Sequence, residues 1–198
     1  MNSTKLTVLA TLVTATLSMP LAASAQDAGF YLGGSVGRSD TNNDTAAFAA
    51  LGATVLGSDE KDTGWKLFGG YQFTKNWSVE ASYVDLGKFG VTGRIGALPF
   101  TASAKVTGYA LAAVGTLPVS QNFDLFAKVG IVHSRVKSSA TVAAAAAAAN
   151  DNDTDWTAGI GAKYNVNKNF AIRAEIERYE AGSSGNANLY SIGVQFKF

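Results

Sequence analysis

Residues 190–198, YSIGVQFKF, decide the fold of this chain. Apolar and polar side chains alternate along the whole stretch, so that every second residue belongs to the same face. A two-residue period is typical of a β-strand whose two faces meet different surroundings. One face carries Tyr190, Ile192, Val194, Phe196 and Phe198, and the other carries Ser191, Gly193, Gln195 and Lys197. The stretch therefore predicts a strand that is apolar on one side and polar on the other.

The same alternation recurs upstream, and it predicts eight strands in all. Four of the other segments show it clearly, although Phe126 is an apolar residue on the polar face of its segment. Three more fit it less well. The clear segments are residues 77–83, 124–131, 156–164 and 170–177, and the weaker ones are 30–38, 64–73 and 106–117.

The segments between the predicted strands are alternately short and long. The short ones are rich in Asn, Lys, Ser and Pro, which favour tight turns. They span residues 74–76, 118–122 and 165–169, and the long ones span 39–63, 88–101, 137–154 and 180–187. The sequence thus predicts an all-β fold, an eight-stranded antiparallel up-and-down barrel with short turns at one end and four longer surface loops at the other.

The charge content indicates where the apolar face of this barrel lies. Only 16% of the residues are charged, the net charge is +1 and the basic residues are scattered, which argues against a nucleic-acid partner. So few charges cannot cover the outside of a soluble barrel, but they can line a narrow interior. Aromatic residues also gather toward both ends of the predicted strands, as in interfacial girdles. The composition favours a transmembrane barrel over a soluble one.

The N-terminal residues are typical of a secretory signal peptide. Lys5 precedes an apolar run over residues 6–17, and Ala23 and Ala25 supply the small side chains that signal peptidase requires. We expect a signal peptide over residues 1–25 and a barrel domain over residues 26–198. Removing Lys5 leaves equal numbers of acidic and basic residues. The chain contains no cysteine, so disulfides and thiol chemistry are excluded.

Three motifs resemble the OmpA-like transmembrane domain family of Gram-negative outer-membrane barrels. They are FGGYQ at residues 68–72, WSVE at 77–80 and GTLPVSQNFDLFAKVG at 115–130, and the resemblance covers the chain from about Gly29 to Phe198. It implies an outer-membrane location, periplasmic turns and surface loops. It also implies delivery by periplasmic chaperones and the barrel assembly machinery. The last strand, with Tyr190, Phe196 and Phe198 on one face, is similar to the signal that this machinery reads.

The resemblance further implies a network of charges inside the barrel. Glu80 and Arg173 match the carboxylate and guanidinium of the family, whereas Lys163 stands where an acid is more common and Val114 where a lysine is. The predicted network comprises Glu80, Lys128, Lys163, Arg173, Glu175 and Glu177. Buried charges need partners, so we expect a fully paired set. The network either fills and stiffens the lumen or acts as a gate whose switching ion pairs open a narrow water path.

The long connections are the expected recognition surface, since the chain is expected to end without a peptidoglycan-binding domain. Residues 39–63 are predicted as a short helix or a loop. Residues 137–154 contain an alanine run and alternating acids. A calcium loop is disfavoured because Trp156 stands where the sharp-turn glycine belongs and Ala162 where the closing glutamate belongs. A solvated tip bridged to lipopolysaccharide by divalent ions is the favoured interpretation.

No catalytic constellation stands out. His133 is the only histidine, and its neighbour Ser134 should face the opposite side of the strand. A lipid A-modifying enzyme is therefore disfavoured, and neither a cofactor nor a metal site is expected. The sequence predicts a monomeric outer-membrane protein with a structural and surface-exposed role, in contact with outer-membrane lipid and lipopolysaccharide. The alternative is a narrow, low-conductance pore for small solutes.

Overall fold

A computed structural model of the chain describes residues 28–41, 53–59, 61–95, 97–142, 145–180 and 186–198. The predicted signal peptide, with Ala23 and Ala25, lies outside these residues. Within them, no helix is long and apolar enough to cross a membrane. The described part of the chain forms nine strands: β1 (Gly29–Thr41), β2 (Ala53–Asp59), β3 (Lys61–Gln72), β4 (Trp77–Ile95), β5 (Leu98–Pro118), β6 (Phe123–Val142), β7 (Ala145–Asn165), β8 (Phe170–Glu180) and β9 (Asn186–Lys197).

Eight of these strands form a closed antiparallel ring. Strand β1 pairs with both β3 and β9, and each remaining member pairs with its neighbours around the ring in the order β3, β4, β5, β6, β7, β8 and β9. Strand β2 pairs with the far half of β4 and continues the line of β3. Closure leaves no free sheet edge in the ring, which is the condition for strands to cross a lipid bilayer. The predicted eight-stranded barrel is confirmed.

Three four-residue turns close one end of the barrel, at residues 73–76, 119–122 and 166–169. Polar side chains fix two of them locally. The hydroxyl of Thr74 accepts hydrogen bonds from the backbone N–H of Asn76 and Trp77, and the side-chain oxygen of Asn167 accepts from Asn169 and Phe170. Such side-chain-to-backbone bonds are the reason that Thr and Asn favour turns.

At the other end, strands continue well past the ring. Only residues 96–97 separate β4 from β5, and only 143–144 separate β6 from β7, so most of the predicted loops 88–101 and 137–154 is paired strand. Alanine has little intrinsic preference for strands, which is why its run suggested a loop. In the structure, residues 145–149 pair with 138–142 of β6. Parts of the predicted loops 39–63 and 180–187 lie outside the described residues.

We call the part of β4, β5, β6 and β7 beyond the ring, together with β2, the sheet extension. It departs from the barrel at a β-bulge between Asp85 and Gly87, where Gly87 has a φ of +86°. The carboxylate of Asp62 accepts hydrogen bonds from the backbone N–H of Lys88 at 2.6 Å and of Thr63 at 2.7 Å. This clamp fixes the exit of β4, because it ties the residue after the bulge to the neighbouring strand β3.

The two faces of the ring have opposite character. Large apolar side chains on the outer face are exposed, which lipid would cover, and polar side chains on the inner face are buried. The alternation read from the sequence thus separates a lipid-facing wall from a polar lumen. Outer-wall residues include Leu32, Leu67, Val79, Leu111, Val129, Ile160, Ile176 and Ile192.

Candidate functional site: the barrel lumen

A cluster of six buried charged side chains fills the middle of the lumen. Three are cationic and three anionic, so the cluster is neutral, and none is more than 5% exposed. They come from four strands, because each strand points every second residue inward. We call them the lumen network: Lys66 on β3, Glu80 on β4, Lys128 on β6, and Arg173, Glu175 and Glu177 on β8.

Arg173 joins two carboxylates of the lumen network. Its two terminal nitrogens lie 2.6 and 3.2 Å from the carboxylate oxygens of Glu80. The same guanidinium donates to Glu175 at 2.8 and 3.0 Å. Tyr31 adds a hydroxyl that donates to Glu80 at 3.2 Å. Ionised groups that share this many hydrogen bonds are much less costly to bury than isolated ones.

Two aromatic rings enclose the guanidinium of Arg173. Its central carbon lies 4.5 Å from the ring centre of Phe68 and 4.3 Å from that of Phe126. Phe126, the apolar residue on the otherwise polar face of β6, therefore makes a cation–π contact with Arg173. The rings of Phe68 and Phe126 occupy the space that a Cβ at Gly33 and at Gly161 would need. Glycine at these two positions thus makes room for the rings beside Arg173.

Lys66 and Lys128, the two lysines of the lumen network, lie one layer nearer the sheet extension than Arg173 and complete the pairing of the carboxylates. Lys128 lies 2.5 Å from Glu177, 3.4 Å from Glu175 and 3.5 Å from Glu80. Lys66 contacts Glu175 and lies 2.8 Å from Glu177. Every cation of the lumen network therefore meets at least two carboxylates. Such mutual pairing holds the six side chains as one unit rather than as three separate pairs.

Five of the six residues predicted for a lumen network lie together in the structure, and Lys163 lies apart. Its ammonium is 3.3 Å from Asp124, near the short-turn end. Lys163 is directly opposite both Arg173 of β8 and Asp124 of β6, and it pairs with Asp124 instead of with a glutamate of the lumen network. Lys66 takes a central place that the prediction did not give it. The two-residue alternation places Lys66 on the polar face of β3, but that alternation does not identify its partners on β8.

An apolar layer covers the lumen network on the side of the sheet extension. It closes the lumen with side chains from several strands, and Leu189 within it is fully buried. Its members are Val84, Leu86, Phe89, Ala110, Val132, Tyr179, Ala187 and Leu189, with Val106 packed against them. Ions would therefore have to pass two layers of different chemistry.

The short-turn end of the lumen is open and polar. A cup of about 730 Å³ is lined there by residues such as Gln121, Lys168 and Gln195. Between the cup and Arg173 lies a cavity of only about 20 Å³, room for one water molecule. Water from this side thus reaches the lower edge of the lumen network.

The remaining predicted residues lie on the outer wall or in the sheet extension. Tyr190, Phe196 and Phe198 face outward, and the rings of Phe196 and Phe198 contact each other with centres 5.2 Å apart. His133 is exposed and hydrogen bonds to Thr154 at 2.8 Å, whereas Ser134 is buried on the opposite face. Among the described residues, no three His, Cys, Asp or Glu side chains group as metal ligands.

Comparison with known proteins gives one family and several structural relatives. The model of the family described as outer membrane protein beta-barrel domain matches residues 9–198. Outer membrane protein A of Yersinia pseudotuberculosis is 27% identical over 185 residues, which are 89% of this chain and 50% of that protein. The chain thus spans about half the length of this curated relative.

Two solved barrels are similar in fold. Ail, the attachment invasion locus protein of Yersinia pestis, gives a TM-score of 0.53 at 17% identity, covering 86% of this chain and 97% of Ail. The outer membrane protein OprG of Pseudomonas aeruginosa gives a TM-score of 0.57 at 14% identity, covering 87% of this chain and 97% of OprG. At these identities the likeness concerns the fold alone.

Proposed function

Because the chain belongs to the outer membrane protein beta-barrel domain family, we propose that it acts as a closed structural barrel of the outer membrane. In this role the ring anchors the protein in lipid and the sheet extension projects from the cell surface. The proposal is non-enzymatic: the protein contributes to envelope integrity and to contact through the extension.

The interior filled by side chains is the observation that supports the proposal. An eight-stranded barrel has an interior just wide enough for side chains. Here the middle of that interior holds six paired charges, and an apolar layer lies above them. A water path would require both layers to move. Such an interior suits a rigid anchor better than a channel.

The sheet extension supports a surface role. It is built on β4 and β5, which run 19 and 21 residues, and on β6 and β7, which run 20 and 21. A tilted strand needs about 9–11 residues to cross a bilayer. Roughly half of each of these strands therefore stands outside the hydrocarbon core, as a paired and shaped surface.

The alternative function is a low-conductance pore gated by the lumen network. Its support is the polar cup at the short-turn end, which leads water to Arg173. In such a pore, Glu80 would exchange one cationic partner of the lumen network for another, and this change would open a path for water. Conductance is the property on which the closed barrel and the gated pore differ.

Planar-bilayer recording of the refolded protein tests the proposal. We expect no discrete conductance steps from the wild-type protein or from Glu80→Ala, because the apolar layer still closes the lumen when the ionic layer is weakened. Val79→Ala, a change on the lipid-facing side of the same strand, is the matched control for reconstitution. Reproducible steps in the wild type that change in Glu80→Ala but not in Val79→Ala would support the gate and reject the closed barrel.

The surface role needs a separate measurement in cells. Deleting the gene in its own host should increase sensitivity to detergents and to antibiotics that the outer membrane normally excludes. Re-expression of Val79→Ala, which changes the lipid-facing wall and leaves the lumen network intact, should restore resistance as well as the wild type does. Unchanged sensitivity after deletion would contradict a contribution to envelope integrity.

A further inference from the structure

Three lysines lie side by side across the outer face of the sheet extension. Lys88 of β4 is directly opposite Lys105 of β5, and Lys105 is directly opposite Lys137 of β6. Directly opposed side chains on neighbouring strands are about 4.5–5.5 Å apart at Cβ. We call these three residues the lysine row. Like charges at such positions destabilise a sheet unless an anion offsets them.

The lysine row points away from the barrel axis. Lys88 and Lys137 are exposed and the side chain of Lys105 is 42% exposed, while Phe89, which follows Lys88, is buried. Arg135 lies on the same face of β6, two residues before Lys137. The row and Arg135 therefore form one cationic patch on the outside wall.

The patch has an excess of positive charge among the described residues. Asp85 lies 2.9 Å from Lys105, and the carboxylate of Asp62 lies beside Lys88, from whose backbone N–H it accepts a hydrogen bond at 2.6 Å. Four cations therefore face two described carboxylates. Arg135 donates instead to the neutral side chain of Asn152. The acids of β7 do not compensate, because Asp151 and Asp153 alternate with Asn150 and Asn152 and so belong to the other face.

An aromatic belt fixes the height of the patch relative to the membrane. Tyr83 is opposite Tyr109, with ring centres 5.0 Å apart, and Tyr109 is opposite His133. Such amphipathic rings mark the interface of lipid and water. Lys137 is four residues beyond His133, about 13 Å along the strand and about 10 Å in height for a tilted one. That is the level of lipid headgroups.

The exposed cations of the opposite wall, Arg38 of β1 and Arg178 of β8, do not lie opposite another cation among the described residues. Arg178 of β8 is exposed, but its guanidinium lies 2.7 Å from the carboxylate of Glu180 on the same face. Its charge is therefore offset by the protein itself. The lysine row differs because three adjacent strands contribute directly opposed cations at one level, and Asp85 and Asp62 offset only part of the charge of the row and Arg135.

We propose that the lysine row and Arg135 bind the phosphates of an anionic lipid of the outer leaflet, whose acyl chains lie against the wall below the aromatic belt. Lipid fits better than a soluble anion because the cations stand directly above an apolar surface. A phosphorylated headgroup would offset the like charges of the row. The inference requires only the outer-membrane location and is independent of whether the lumen conducts.

Native mass spectrometry of the refolded protein with lipid A tests the inference. The probes are diphosphorylated lipid A, its dephosphorylated form and inorganic phosphate, each titrated in detergent micelles. We expect wild-type protein to retain diphosphorylated lipid A, and Lys88→Gln/Lys105→Gln/Lys137→Gln to bind it on the order of a hundredfold more weakly. Lys168→Gln, which removes one exposed charge from a short turn, should bind as the wild type does.

The outcomes separate the possible ligands. Equal retention by the triple variant, or equal retention of dephosphorylated lipid A by the wild type, would overturn the inference. So would full competition by millimolar inorganic phosphate, because the patch would then be a general anion site. A heat-modifiable shift in gel mobility and an unchanged circular dichroism spectrum show that each variant is folded.

Discussion

Arg173 shows why the identity of a single side chain matters in a closed lumen. Its planar guanidinium donates to Glu80 and Glu175 at once and fits between the rings of Phe68 and Phe126. A lysine offers a point charge and no flat face, so it cannot make the same set of contacts. The residue thus links the ionic and aromatic parts of the lumen.

Removing the charge of Arg173 alone should destabilise the protein more than removing the charges of Arg173 and Glu80 together. Arg173→Met leaves two buried carboxylates short of a partner and should lower the free energy of unfolding by about 3–5 kcal/mol. Arg173→Met/Glu80→Gln restores neutrality and should recover part of that loss. Urea unfolding in lipid vesicles measures both. Arg178→Met, which breaks an exposed pair, should cost no more than about 1 kcal/mol. A double variant less stable than Arg173→Met would contradict this account.

Asp62 should titrate at lower pH than an ordinary aspartate. The backbone N–H groups of Lys88 and Thr63 donate to its carboxylate and hold the pKa of Asp62 below its usual value. Because the ionised form makes these bonds, their contribution is complete above the unfolded pKa of about 3.9. It is lost as the pH falls through the lower folded value.

Amide chemical shifts of Lys88 and Thr63, followed by NMR against pH, should report that titration with a midpoint below about 3.9. The same shifts should stay flat in Asp62→Asn, which has no carboxylate to protonate. A midpoint at or above the ordinary value would show that the clamp does not favour the charged form.

At the scale of the strands, the sequence predicted those strands whose two faces meet different surroundings, lipid on one side and the polar lumen on the other. Strand β9 could be predicted because its outward residues are large and apolar and its inward ones polar. The sheet extension could not, since its alanines and serines show no strict alternation of apolar and polar side chains. Lys66 falls on the polar face of its segment, but face alone did not show that its ammonium meets Glu175 and Glu177 from the distant strand β8.

The bulge at Gly87 should determine the local stability of the sheet extension without changing that of the ring. Gly87→Ala places a side chain at a φ of +86° and against the carboxylate of Asp62, a conformation that costs about 1–2 kcal/mol. Hydrogen exchange should then speed up beyond residue 87 and stay slow in β8 and β9. Gly90→Ala is the matched control, because the nearest atom to its Cβ is 3.8 Å away and its φ is ordinary. Equal exchange in the two variants would mean that the bulge is not the joint.

At the scale of the whole molecule, the proposed closure of the lumen would rest on two layers of side chains. The ionic layer is neutral and fully paired, and the apolar layer excludes water by packing, so each should seal the lumen without the other. Such redundancy suits an anchor, because one disturbed layer does not create a leak. It also means that single substitutions test closure poorly.

Conductance should therefore appear only when both layers are disrupted. Arg173→Ser/Glu80→Ser removes a neutral pair from the ionic layer, and Leu86→Ser/Leu189→Ser opens the apolar layer. Each double variant should stay silent in planar bilayers, and the combined fourfold variant should give discrete conductance steps. Steps from Leu86→Ser/Leu189→Ser alone would show that the ionic layer passes ions. Steps from Arg173→Ser/Glu80→Ser alone would show that the apolar layer is permeable. Either result would show that a single layer closes the lumen. The residues of that layer would then be the ones that have to move in a channel.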